Sequence, residues 1–225
     1  MPPAKVVTVW DLPIRLFHWS LAITVIVAVA TGLIGGDAME WHVLAGYGIV
    51  VLVAFRLLWG VLGTRHARFR SFVRSLPTTY AHVKKSMRGK APHSPGHSPV
   101  AGWMVMAMLV VLAVQTVTGL FANDDIDTEG PLFHLVSKHT SDVLSAIHKL
   151  NFWVVVGLIG LHLLAIFGYY LIVRRINLIR PMITGRMRVA AEHAAEHHIP
   201  RYTNALALAL LVLLAGGFYF FVLRG

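Results

Sequence analysis

Residues 143–173 read VLSAIHKLNFWVVVGLIGLHLLAIFGYYLIV, an apolar run with no acid in which the basic side chains are His148, Lys149 and His162. Backbone N–H and C=O groups in lipid have no water to bond, so a segment of this kind satisfies them internally as a helix. About 20 helical residues cross the hydrocarbon. The run is longer than that, so the helix is expected to tilt or to project beyond the membrane. His148 and His162 are 14 positions apart. At about 100° and 1.5 Å per residue, 14 steps return to within about 40° of the starting direction and climb about 21 Å. The two imidazoles therefore lie on one side of one helix at two depths.

Four more stretches, 12–34, 41–62, 100–121 and 204–223, are long and apolar enough to cross a bilayer. Of the 225 residues, 56% are hydrophobic and 13% charged. A soluble domain carries about 25% charged residues, so lipid is the solvent for much of this chain. Lys5 and Arg15 ahead of an apolar run, with Ala28-Val29-Ala30 inside it, have the outline of a signal peptide. That segment is expected to be retained as the first span.

The formal net charge is +10. In a membrane chain this marks cytoplasmic loops rather than a nucleic-acid partner. Residues 64–98 carry Arg65, Arg68, Arg70, Arg74, Lys84, Lys85, Arg88 and Lys90 and no acid. Residues 174–203 carry six arginines against Glu192 and Glu196. Asp37 and Glu40, with Asp124, Asp125, Asp127, Glu129 and Asp142 against Lys138, make the remaining connections acidic. The positive-inside rule puts the N-terminus and both basic loops in the cytoplasm and the acidic loops outside. Five crossings leave the C-terminus outside. Residues 90–99 (KAPHSPGHSP) form a turn-rich entry to the third span, and 190–198 is expected to be a short amphipathic helix on the cytoplasmic surface.

Cysteine is absent, which excludes disulfides, thiolate zinc sites, cysteine-held iron–sulfur clusters and haem attached through Cys-x-x-Cys-His. Histidine is then the abundant metal-binding residue, and four of the 13 lie in the spans: His18, His42, His148 and His162. An ionisable group at membrane depth is a functional candidate by default. On the topology above, His18 and His162 share the cytoplasmic level, and His42 and His148 the outer level. Each pair joins two helices, as a haem iron between two imidazoles requires, and without cysteine that haem is b-type. Gly32, 14 after His18, faces the outer level. Arg56, 14 after His42, faces the inner one, where a haem propionate would match its guanidinium fork. Arg15 and Lys149 are further propionate candidates.

Simpler readings stand beside these. A lone membrane histidine commonly serves as interhelical hydrogen-bonding glue, and Arg56 by itself can snorkel or bond backbone carbonyls. Met104, Met106 and Met108 read as packing. His193, His197 and His198 have a spacing open to a metal but suit a solvated interfacial helix. His82, His93 and His97 read as loop residues, and His134 and His139 as surface. A proton or metal path lined by histidines would be expected to include acids, and the spans contain almost none.

The run VWDLPIRLFHW at 9–19 resembles the opening of bacterial di-haem membrane cytochromes b. That group comprises the prokaryotic cytochrome b561 family and the cytochrome b subunits of membrane-bound nickel–iron hydrogenases, with formate dehydrogenase gamma subunits as more distant relatives. The similarity continues through His42, Gly46, RLLWG at 56–60, GHSP at 96–99, Gly102-Trp103, His148 and His162. It implies an all-α integral membrane protein, with a four-helix transmembrane bundle at 1–185 binding two b haems. Residues 186–225 then supply a cytoplasmic interfacial helix and a fifth C-terminal transmembrane helix. The resemblance assigns His18 and His162 to the inner haem and His42 and His148 to the outer one. It places a quinone site near His97, Gly102 and Trp103.

The function expected is electron transfer across a bacterial cytoplasmic membrane, between the quinone pool and a periplasmic redox protein such as a c-type cytochrome or a dehydrogenase or hydrogenase subunit. Two alternatives remain at this point: a stand-alone quinone oxidoreductase acting on a small species such as superoxide, and a histidine-lined proton or metal transporter without haem.

Overall fold

The computed structural model describes residues 4–87, 98–168, 170–171, 177–190 and 199–224. Eight α-helices and two short strands occur among them in the order β1 (Ala4–Thr8), α1 (Leu12–Ile34), α2 (Met39–Leu62), α3 (Phe69–Phe72), α4 (Leu76–Met87), α5 (Pro99–Leu120), α6 (Lys138–Gly168), α7 (Ile179–Thr184), β2 (Arg186–Ala190) and α8 (Thr203–Phe218). A π-helical turn, Tyr219–Leu223, extends α8. Five helical segments are long and apolar enough to cross a membrane: Leu12–Ile34, Gly36–Leu62, Pro99–Leu120, Lys138–Gly168 and Thr203–Leu223. They coincide with the five stretches read from sequence to within a few residues at each end. The fold is all-α membrane architecture, and α6 is unbroken from Lys138 through His148 and His162 to Gly168.

The chain divides into two compact units: residues 1–16, 57–107 and 162–207 form the first, and 17–56, 108–161 and 208–225 the second.

In the second unit four helices meet on one apolar core. Val25 of α1, Ile49 and Val53 of α2, Leu112 of α5 and Val155 of α6 are buried together, with Leu21, Val29, Val111 and Ile159 packed around them. Leu109 is buried on α5 as well. The acidic connection at 122–137 is tied down by polar side chains. Ser141 Oγ donates to Phe121 O at 2.6 Å, Asn123 N to Ser145 Oγ at 2.9 Å, and Asn123 Nδ2 to Ser141 Oγ at 2.6 Å. Lys138 holds Asp125 at 2.5 Å and also bonds Asp142. These contacts fix the first turns of α6, with Ser141 one helical turn before Ser145 and two before His148.

The first unit contains a feature absent from the sequence reading. β1 and β2 pair antiparallel, Ala4 opposite Ala190 through Thr8 opposite Arg186. Residues 186–190 are thus strand, and they join the N-terminal segment. The rest of the expected surface helix, 191–198, lies outside the described residues. The ribbon leads into α1 through a buried carboxylate. Asp11 Oδ1 accepts from Ile14 N at 2.8 Å as the helix cap, while Oδ2 accepts from Thr64 Oγ1 at 2.6 Å and Trp59 Nε1 at 3.3 Å.

Candidate functional site

His42 and His148 come together in the second unit, on α2 and α6, with ring centroids 6.1 Å apart and ring planes at 83°. Each ring is anchored through Nδ1. That of His42 lies 2.8 Å from Ala28 O on α1, and that of His148 2.9 Å from Gln115 O on α5. A backbone carbonyl can only accept, so Nδ1 carries the proton in both rings and Nε2 keeps the lone pair. Tautomer and ring direction are thereby set by main chain, a means by which proteins orient imidazole ligands. The amide of Gln115 also stands 3.2 Å from His148 Nε2, and Thr118 Oγ1 is 3.4 Å from His148 Nδ1.

Two glycines make the room for these rings. A Cβ on Gly32 would lie 2.7 Å from His42 Nδ1, and one on Gly119 would lie 2.9 Å from His148 Cε1. Gly32, 14 residues beyond His18 on α1, therefore has the His42 ring as its immediate neighbour. Gly119, Gln115 and Thr118 were not singled out from sequence. Gln115 and Asn151, amides inside apolar spans, were the available signal.

The other histidine candidates fall in separate units. His18, half-buried in the second, packs edge-on against Trp19 with centroids 5.2 Å apart. His162, also half-buried, belongs to the first. Arg56 is buried in the second unit with 3% of its surface exposed, an unusual place for a guanidinium. Arg15 is half-buried in the first unit and donates through a terminal nitrogen to Ile183 O. Lys149 is exposed.

The residues named for quinone divide in the same way. His97 lies outside the described residues. Gly102 is buried where a Cβ would come within 2.8 Å of Phe72 O, and Trp103 Nε1 donates to Arg74 O at 3.0 Å. Both pack the start of α5 against α3 and the residues just after it, a structural duty the sequence reading did not foresee.

The two axial imidazoles of one iron, each bonded at about 2 Å, have ring centres about 6 Å apart. The His42–His148 spacing meets that requirement, both rings present the tautomer that ligates through Nε2, and the donor set is one that haem iron accepts. No curated protein and no solved structure matches the chain significantly. The family profile of prokaryotic cytochrome b561 matches residues 9–185, most of the chain. With five membrane-crossing helices and an imidazole pair of this geometry, the chain belongs to the prokaryotic cytochrome b561 family, all-helical membrane proteins that transfer electrons on haem b.

Proposed function

We propose that the chain holds two b haems, one between His42 and His148 and one between His18 and His162, and moves electrons across the bacterial cytoplasmic membrane. The observation that carries this reading is the His42–His148 pair, with both Nδ1 protons committed to backbone carbonyls. A haem held there by His42 and His148 would supply one-electron chemistry at its iron.

The protein's own work is to hold the ligands rigidly. Ala28 O and Gln115 O fix the imidazoles, Gly32 and Gly119 let them seat, and the apolar core around Ile49 and Val155 keeps water out. Arg56, buried in the second unit, supplies a positive charge for a haem propionate. Arg15 and Lys149 are secondary candidates for the same role.

Residues 1–185 form the haem-binding part in this reading, and 186–225 add the cytoplasmic segment and fifth span. The N-terminus is cytoplasmic and the C-terminus periplasmic. Electrons pass between a periplasmic redox protein and the quinone pool, with quinone reacting near the start of α5 by His97, Gly102 and Trp103. The acidic connection bearing Asp124, Asp125, Asp127 and Glu129 favours a partner with a basic face.

Haem stoichiometry tests the proposal. The chain is purified in mild detergent and its pyridine haemochrome is measured against protein. Two b haems per chain are expected, and one or none overturns the double-pair assignment. Replacing Arg56 with Leu is expected to shift one haem's potential more than the other's. Equal small shifts remove its propionate role.

A further inference from the structure

The 12-residue helix α4, LPTTYAHVKKSM, is too short to cross a membrane, yet its large apolar side chains face away from the protein. Leu76 is 67% exposed and Tyr80 70%. At about 100° per residue the two lie within about 40° of each other, on one edge of the helix. The half-buried side chains are Thr79, His82, Val83 and Ser86, a mostly polar edge about a quarter-turn away. Thr78 and Lys85, both exposed, lie about opposite the Leu76–Tyr80 edge. For a helix resting on a protein in water this is the wrong way round: hydroxyls and an imidazole are half-covered while leucine and tyrosine are left out.

Packing sets the depth of the helix. The residues that lead into it lie against the first turns of α5, a membrane-crossing helix. Trp103 Nε1 donates to Arg74 O at 3.0 Å, and a Cβ on Gly102 would come within 2.8 Å of Phe72 O. α4 therefore starts level with the end of a span, where aromatic rings such as those of Trp103 and Tyr80 favour the boundary between headgroups and acyl chains. Its edges then match three surroundings: protein at Thr79 and Ser86, lipid at Leu76 and Tyr80, water at Thr78 and Lys85.

Charge narrows the lipid. Lys84 and Lys85 are exposed on the last turns of α4, and residues 64–98 contain no acid to pair with them. At a membrane surface the complementary groups are anionic headgroups, and lysine stems are long enough to lie along the apolar boundary while the ammonium reaches a phosphate.

We propose that α4 is an interfacial helix that binds anionic phospholipid, its Leu76–Tyr80 edge set into the headgroup–acyl boundary and Lys84 and Lys85 holding the headgroup phosphates. Nothing in this arrangement involves the haem ligands.

The chain has no cysteine, so Leu76→Cys, Tyr80→Cys and Thr78→Cys each place a single bimane fluorophore on the full-length protein. The labelled proteins are reconstituted in vesicles of phosphatidylglycerol and phosphatidylcholine. Brominated acyl chains quench a fluorophore in lipid, and iodide quenches one in water. The labels at 76 and 80 are expected to be quenched by brominated lipid and screened from iodide, and the label at 78 the reverse. Iodide reaching all three alike puts the whole helix in water and overturns the proposal. Screening of 76 and 80 from both quenchers also overturns it, because protein, a second copy of the chain included, then covers that edge. For the headgroups, bromine is carried on one lipid at a time. Brominated phosphatidylglycerol is expected to quench the label at 80 more strongly than brominated phosphatidylcholine, and Lys84→Gln with Lys85→Gln to bring the two to one level. Equal quenching before that change, or a preference that survives it, overturns the binding of anionic headgroups by these lysines.

Discussion

His42 on α2 and His148 on α6 face one another edge to face at 6.1 Å, each with its Nδ1 proton spent on the carbonyl of a third or fourth helix. Four helices therefore converge on one imidazole pair: α2 and α6 contribute the rings, α1 and α5 the carbonyls that aim them. Moving any one of these helices disturbs one of the two rings, so the packing of the second unit and the placing of its imidazoles rest on the same contacts.

The pair should behave as a unit. His42→Ala and His148→Ala are each expected to lower haem content from two to one, and the double variant is expected to lose no more than either single. His162→Ala should remove the other haem, so that joining it to His148→Ala leaves none. Haemochrome assays of the singles and doubles check this. A double variant of His42 and His148 that loses both haems would break the pairing.

The seating of the rings depends on two missing side chains. Gly32→Ala would place a Cβ 2.7 Å from His42 Nδ1, and Gly119→Ala one 2.9 Å from His148 Cε1. Either ring must move away from its carbonyl, and overpacking of this kind costs about 1–3 kcal/mol. Both variants are expected to lose haem or bind it with an altered potential. Gly46→Ala is the control, because nothing lies within 4 Å of its added Cβ. Wild-type haem content in all three variants would mean that these glycines do not shape the site.

Acid should loosen the connection at 122–137 through one carboxylate. Asp124 Oδ1 accepts from the backbone N–H of Thr128 at 2.8 Å, Ile126 at 3.0 Å and Asp127 at 3.1 Å. These bonds, that from Thr128 foremost, lower its pKa from 3.8 to about 2. A depressed folded-state pKa contributes stability that is complete above the unfolded value and is lost as pH falls. The loss therefore runs from just above 3.8 down through about 2. Amide protection at Ile126, Asp127 and Thr128, corrected for intrinsic exchange, is expected to hold at pH 6 and to collapse across that window. Asp124→Ala should lose it already at pH 7. Protection independent of both pH and Asp124 would remove the carboxylate from the loop's support.

The spans and the meeting of His42 with His148 were legible because lipid leaves few options. A run such as 143–173 can only be helix, and helical period then gives His148 and His162 their shared side. What escaped was nonlocal or carried by main chain. The strands of the β1–β2 ribbon lie at opposite ends of the first unit's sequence, and neither five-residue segment announces a partner. The carbonyls of Ala28 and Gln115 that aim the imidazoles have no side-chain signature. Gly102 and Trp103 matched a motif, but only packing reveals that they meet Phe72 and Arg74.

The buried carboxylate at the head of α1 gives a stability prediction independent of haem ligation. Asp11 is 2% exposed and Trp59 1%. One carboxylate oxygen caps α1 at Ile14, and the other receives Thr64 and Trp59 from the end of α2 and the residues beyond it. Asp11→Ala uncaps the helix, worth about 1 kcal/mol, and leaves the Trp59 N–H without its acceptor at about 1–3 kcal/mol. A loss of about 2 kcal/mol or more is expected. Asp11→Asn keeps one oxygen, which can serve the cap or the Thr64–Trp59 side but not both, so it should lose about half as much. Thermal unfolding in detergent, followed by circular dichroism, ranks the two variants. Equal stability of the alanine variant and wild type would show that the Asp11 contacts contribute nothing net to joining α1 to α2.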